Sequence, residues 1–146
     1  MKTAELDKKD VRSIQSAGAR RILVIDDEKR IADTLALILK SAGYLPEVAY
    51  DGESGLAACH EFRPHLVISD VVMPGMSGIQ AAIEIRRQFP DCGILLYSGQ
   101  AATAQMMEEA RSQGYEFELL AKPVHPVQLL ETVKSLIGGP ESNASR

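Results

Sequence analysis

Apolar runs recur along the chain, and four of the five end on side chains able to do chemistry. ILVI (22–25) runs into Asp26-Asp27-Glu28, and LVIS (66–69) runs into Asp70. GILLY (93–97) runs into Ser98-Gly99, and FELLA (117–121) into Lys122-Pro123. The fifth, PEVAY (46–50), is followed by Asp51-Gly52. Unbroken apolar runs mark strands covered on both faces. Pro46 suits PEVAY to a sheet edge. Between the runs the period changes to that of a helix. Ile31, Leu35, Ile38, Leu39 and Ala42 fall at i, i+4, i+7, i+8 and i+11, one apolar face. Gly43 closes that helix as a left-handed C′ residue. A second helix runs to about Phe62 with Leu56, Cys59 and Phe62 inward, its start blurred by Gly52 and Gly55. A third spans about 78–88, with Ser77 as N-cap and Ile79, Ala82 and Ile83 inward, and stops before Pro90. A fourth spans about 102–113 and ends at Gly114. The last begins near Pro126, buries Leu129, Leu130, Val133, Leu136 and Ile137, and stops at Gly138-Gly139-Pro140.

Strands joined by helical crossovers make a parallel sheet with helices on both faces, an α/β fold. Right-handed crossovers leave few strand orders. The flavodoxin-like order 2-1-3-4-5 is the common five-stranded one, and it sets strands one and three side by side. Asp26, Asp27 and Asp70 then meet outside the carboxyl ends of the strands, where open α/β sheets bind ligands. Ser98 and Lys122 stand at the ends of the next two strands.

Three carboxylates in one crevice disfavour each other's ionisation. A divalent cation relieves this. Mg²⁺ takes oxygen ligands and is held by one or two carboxylates plus a phosphate. The residues therefore point to a Mg²⁺ site with an open face for a phosphoryl group. Lys122 brings positive charge to the phosphoryl oxygens, Ser98 brings a hydrogen bond, and Gly99 leaves room beside it. Asp70 is the nucleophile, since a carboxylate can hold phosphorus as an acyl phosphate.

Composition and charge narrow the setting. The 146 residues, 45% hydrophobic and 25% charged, suit one domain with a sizeable core. Positions 1–21 carry six basic and three acidic side chains, a net +3, and positions 22–146 carry ten and seventeen, a net −7. An acidic body argues against nucleic-acid binding, which needs a basic face. No apolar run approaches a membrane span, and MKTAELDKKD is charged where a signal peptide is apolar. Cys59 and Cys92 lack metal-ligand spacing and read as reduced thiols of a cytoplasmic protein. His60, His65 and His125 also lack ligand spacing. Met73, Met76, Met106 and Met107 read as packing. The expected organisation is a flexible extension over 1–20, one domain over 21–138, and a disordered tail over 139–146.

ILVIDDE, ISDVVMPGMSG, LLYSGQ and LAKP together resemble the receiver domain of two-component response regulators. The resemblance covers about 21–138. It implies that Asp70 accepts a phosphoryl group from a phosphohistidine of a sensor histidine kinase or a His-containing phosphotransfer protein. It implies that Asp26 and Asp27 bind Mg²⁺ directly or through water, with the backbone carbonyl of Val72 as a further ligand. Ser98 resembles the switch hydroxyl and Lys122 the family's lysine, with a cis Lys122-Pro123 bond. Donor docking in the family implicates Ile31 and Pro123. Phosphorylation would switch the surface of helix four, strand five and helix five toward a downstream protein. Eight residues follow Gly138, so a stand-alone receiver is expected. Two features depart from the pattern. Leu119 stands where an aromatic is frequent, with Phe117 the aromatic able to substitute. Gly114 is eight residues before Lys122, one more than usual, which predicts a bulge or longer loop over 115–120.

Three other readings compete. An aspartyl-phosphate hydrolase of the haloacid-dehalogenase kind needs a second Asp two past the nucleophile, where this chain has Val72, which transfers no proton. A flavin or nucleotide carrier needs a Gly, Ser or Thr loop after strand one, where this chain has Asp26-Asp27-Glu28. A phosphorylation-independent binding module would not need the full set of acidic, hydroxyl and lysine residues.

Overall fold

The computed structural model describes residues 18–99 and 103–141. Five strands, β1 (Arg21–Ile25), β2 (Leu45–Ala49), β3 (Leu66–Asp70), β4 (Gly93–Ser98) and β5 (Glu118–Ala121), alternate with helices. The helices are α1 (Lys29–Ser41), α2 (Gly52–Phe62), α3 (Gly78–Gln88), α4 (Thr103–Ser112) and α5 (Pro126–Ile137). All strand pairs are parallel, in the order β2-β1-β3-β4-β5. The expected topology is the observed one.

Alternation along each strand divides the core in two, because successive side chains point to opposite faces. Leu23, Ile25, Val67, Ile94 and Leu96 pack with Cys59, Phe62, Ile79, Ile85 and Ala110 under α2, α3 and α4. Ile22, Val24, Ile68, Leu95 and Tyr97 pack with Leu35, Leu39, Leu129 and Val133 under α1 and α5. The central runs are apolar throughout because both faces are covered. α2 lies close on β1 at Gly55, where a Cβ would sit 2.3 Å from Ile25 Cδ1. Close packing, not turn formation, accounts for that glycine.

Local signals place the helix ends. Ser77 caps α3 by accepting from the Gln80 N–H, while the Gln80 side chain accepts from the Ser77 N–H. Asp51 caps α2 by accepting from the Ser54 N–H. Gly43 has φ +98°, as expected of a C′ residue. The Lys122-Pro123 bond is cis.

The structure corrects three readings. β2 begins one residue early, at Leu45, whose N–H donates to Arg20 O at 2.9 Å. β5 begins at Glu118, leaving Phe117 in the preceding loop, so the extra residue after Gly114 lengthens that loop. Leu136 is exposed, because only Leu129 and Val133 of α5 are fully covered by the sheet. Ala102, read as the start of the fourth helix, lies outside the described residues. So do residues 1–17 of the extension and 142–146 of the tail. Ala19 bridges Glu141, and the Arg20 N–H donates to Pro140 O at 2.7 Å, so the two ends of the described chain meet beside β1. No helix among the described residues is long and apolar enough to cross a membrane. Cys59 and Cys92 are buried and free, and burial pushes their thiols up to about 11 and about 12.

His65, at the start of β3, accepts the Arg21 N–H on Nδ1 at 2.9 Å. Burial, then the charges of Arg21 and Arg20, hold its pKa below the usual 6.5. Below 6.5 the unfolded chain binds a proton that the folded one refuses, so this stabilisation is whole above 6.5 and is lost as pH falls through the folded value. In His65→Asn the side chain keeps an acceptor and cannot titrate. Urea unfolding from about pH 7.5 to about pH 5 should show the variant gaining on wild type as pH falls. An unchanged gap contradicts the assignment.

Candidate functional site

The carboxyl ends of β1, β3, β4 and β5 bring Asp26, Asp27, Asp70, Ser98 and Lys122 to one end of the sheet. Asp26 directly follows β1, and its N–H continues the ladder to Ala49 O at 3.1 Å. Asp70 closes β3 and is 5% exposed, while Asp26 is fully buried and Asp27 exposed. One carboxylate oxygen from each of the three lies within 4.8 Å of the others. Lys122, just past β5, places Nζ 3.3 Å from Asp70 Oδ2. Its N–H donates to Ser98 O at 3.1 Å, which ties the strand ends together.

The charge is unbalanced, with three carboxylates against one ammonium. Burial first, then the charge of Asp26, raises the Asp70 pKa, and Lys122 offsets this only in part. Hard oxygen donors with excess negative charge, at the rim of a sheet, fit a small divalent cation. Asp26 also has a partner on each of its oxygens. Asp26 Oδ1 accepts from the Glu28 N–H at 2.9 Å, and Oδ2 accepts from the Tyr97 hydroxyl at 2.6 Å.

The remaining candidates fall around this centre. Val72 lies two residues past Asp70 with its side chain 44% exposed. The Ser98 hydroxyl is buried, 2.5 Å from the Thr103 hydroxyl at the start of α4. A Cβ on Gly99 would meet Lys122 Cβ at 3.4 Å, an ordinary contact, so a methyl fits there. Ile31 and Pro123 line one groove with Leu35, Tyr97, Lys122 and Val124, between α1 and the β5–α5 connection. Leu119 is 39% exposed. Phe117 does not occupy an equivalent strand position. It stacks on Tyr115 at 6.4 Å between centroids and lies under the Arg86 guanidinium at 5.0 Å.

Two side chains at the site were not singled out from sequence. Thr103 opens α4 and pairs with Ser98. Tyr97 reads as the last apolar residue of its run, yet its hydroxyl ends on Asp26. Burial, then the Asp26 hydrogen bond, pushes the phenol well above its ordinary range, so it stays a donor. The available signal was its place beside Ser98, because a buried Tyr hydroxyl usually finds a partner.

Comparison with known proteins agrees with this geometry. The family model "Response regulator receiver domain" matches residues 22–134. The chemotaxis protein CheY4 of Vibrio cholerae is 30% identical, with a TM-score of 0.73, over 81% of this chain and 98% of that one. A CheY-like receiver domain protein from Methanospirillum hungatei is 28% identical, with a TM-score of 0.73, over 80% of this chain and 92% of that one. NtrX from Brucella abortus is 30% identical, with a TM-score of 0.72, over 82% of this chain but 27% of that longer one. With this match over most of its length, and an acidic cluster and lysine at the strand ends, the chain belongs to the response regulator receiver domain family of two-component signalling.

Proposed function

We propose that Asp70 accepts a phosphoryl group from a phosphohistidine and that the chain acts as a signalling switch rather than as an enzyme. The observation that carries this reading is the buried Asp70 carboxylate, with Lys122 Nζ 3.3 Å away and Asp26 and Asp27 clustered beside it. The donor is a sensor histidine kinase or a His-containing phosphotransfer protein. The residues that would hold Mg²⁺ are Asp26, Asp27, Asp70 and the Val72 carbonyl. Bound there, the ion offsets charge on the transferring oxygens.

The chain's own groups do the rest. An Asp70 oxygen forms the new O–P bond while the P–N bond to the donor imidazole breaks. The imidazole, protonated on its other nitrogen, leaves as neutral histidine. Lys122 moves from pairing with Asp70 alone to pairing with the phosphoryl oxygens as well. The added group brings about −1.5 to −2 charges and strong acceptors. The Ser98 hydroxyl then exchanges Thr103 for a phosphoryl oxygen, which drops its tie to the start of α4. The α4, β5 and α5 surface shifts as a result, and a downstream protein reads it. A shift from 1:99 to 99:1 needs about 5.5 kcal/mol, within reach of several charge-assisted hydrogen bonds. The setting is cytoplasmic. Val72 transfers no proton, which sets the site apart from an aspartyl-phosphate hydrolase.

The groove holding Ile31 and Pro123 is where the donor docks. Ile31→Asp should block transfer from a phosphorylated protein donor while leaving labelling by a small acyl phosphate intact. Both are read by intact-protein mass. Labelling by the small donor also shows that the variant is folded. Equal loss with both donors rejects the docking role.

A further inference from the structure

Among the described residues Tyr97 is the largest of the fully buried side chains, and it stands in β4 one residue before Ser98, which ends the strand. Three contacts tie it to the site. Its hydroxyl donates to Asp26 Oδ2 at 2.6 Å, with both residues out of solvent. Its ring face lies under Lys122 Nζ, 5.2 Å from the centroid. Its carbonyl accepts the Val71 N–H at 3.2 Å, next to Asp70. One residue thus meets the first carboxylate, the ammonium, and the backbone that carries the reactive carboxylate.

We infer that Tyr97 is a positioning residue of the cation site, holding Asp26 in one orientation through its hydroxyl while its ring seats Lys122. The inference rests on the Mg²⁺ site proposed above. A carboxylate oxygen accepts about two hydrogen bonds. With Glu28 N–H on Oδ1 and Tyr97 on Oδ2, each Asp26 oxygen is fixed in direction and keeps a lone pair for the cation or its water. Without Tyr97, Oδ2 loses its anchor and the carboxylate can rotate. Partners of metal ligands, when removed, typically cost about 10–100-fold in metal affinity. Tyr97→Phe deletes only the hydroxyl and leaves the ring for Lys122 and the core.

Calorimetric titration of the unphosphorylated protein with Mg²⁺ tests this. Tyr97→Phe should raise the Kd about tenfold. Leu95→Val, a packing loss on the same strand and face, should lower stability and leave the Kd alone. In wild type carrying ¹³C-labelled tyrosine, saturating Mg²⁺ should move the Tyr97 Cζ resonance and leave that of Tyr115 in place, a readout that does not depend on any variant folding. A Tyr97→Phe Kd within about twofold of wild type overturns the inference, as does a Tyr97 resonance that stays still. Wild type that binds no Mg²⁺ at all overturns the proposed cation site beneath it, and the first titration tells the two failures apart.

Discussion

Asp70→Asn should abolish phosphoryl incorporation from a small acyl phosphate, while Asp26→Asn and Asp27→Asn should only slow it. The difference follows from where each carboxylate is held. Both oxygens of Asp26 carry a hydrogen bond, from Glu28 and from Tyr97, in a fully buried position. That leaves it poorly placed to attack. Asp27 is exposed. Among the described residues Asp70 is the carboxylate paired with the ammonium that would meet the incoming oxygens, at 3.3 Å. Burial and the neighbouring Asp26 also raise its pKa, so neutral Asn in its place relieves a repulsion. Intact-protein mass reads the result. An adduct of wild-type yield on Asp70→Asn would place the acceptor elsewhere.

Gly78→Ala should destabilise the protein by about 3 kcal/mol and slow phosphorylation by about a hundredfold. A Cβ at this position would lie 1.9 Å from Asp70 O, 2.8 Å from its carbonyl carbon and 3.0 Å from Val71 Cα. All three are backbone atoms and cannot swing aside. The Gly78 N–H meanwhile donates to Val71 O at 2.8 Å, clamping the start of α3 to the end of β3. Relief comes only by withdrawing α3 or by displacing the strand end that carries Asp70. Displacement of a reacting group by about 1 Å can cost about a hundredfold in rate. Gly139→Ala is the control, since nothing lies within 4 Å of a Cβ there. Urea unfolding and the labelling rate measure the two effects. A Gly78→Ala protein as stable and as fast as wild type would refute the close approach.

The order of elements and the cluster at the strand ends were legible because each rests on a short-range pattern. ILVI followed by Asp26-Asp27, and LVIS followed by Asp70, need only strand periodicity and the switch-point rule to be brought together. Boundaries set by pairing were less visible. Leu45 joins β2 because its N–H finds Arg20 O, a partner 25 residues away, and hydropathy does not report that. Leu136 has the right spacing for the core, yet it is left exposed while its neighbour Ile137 packs against the core instead. Phe117 looked like part of a strand because the sequence does not say whether an extra residue becomes a bulge or a longer loop. Tyr97 was hidden for another reason. Its ring is the apolar member that the run requires, and its hydroxyl partner lies 71 positions earlier. A residue that serves the core with one end and the site with the other shows only its apolar half in a hydrophobic pattern.

The central claim is that Asp70 takes up phosphate with help from a cation, and one measurement addresses it directly. Wild-type protein is incubated with a small acyl phosphate, with Mg²⁺ or with excess chelator, and its intact mass is recorded, with fragmentation to locate any adduct. The account predicts a single phosphoryl adduct, on Asp70, that is lost under chelator. An adduct on another residue, or one of equal yield without a divalent cation, would contradict it.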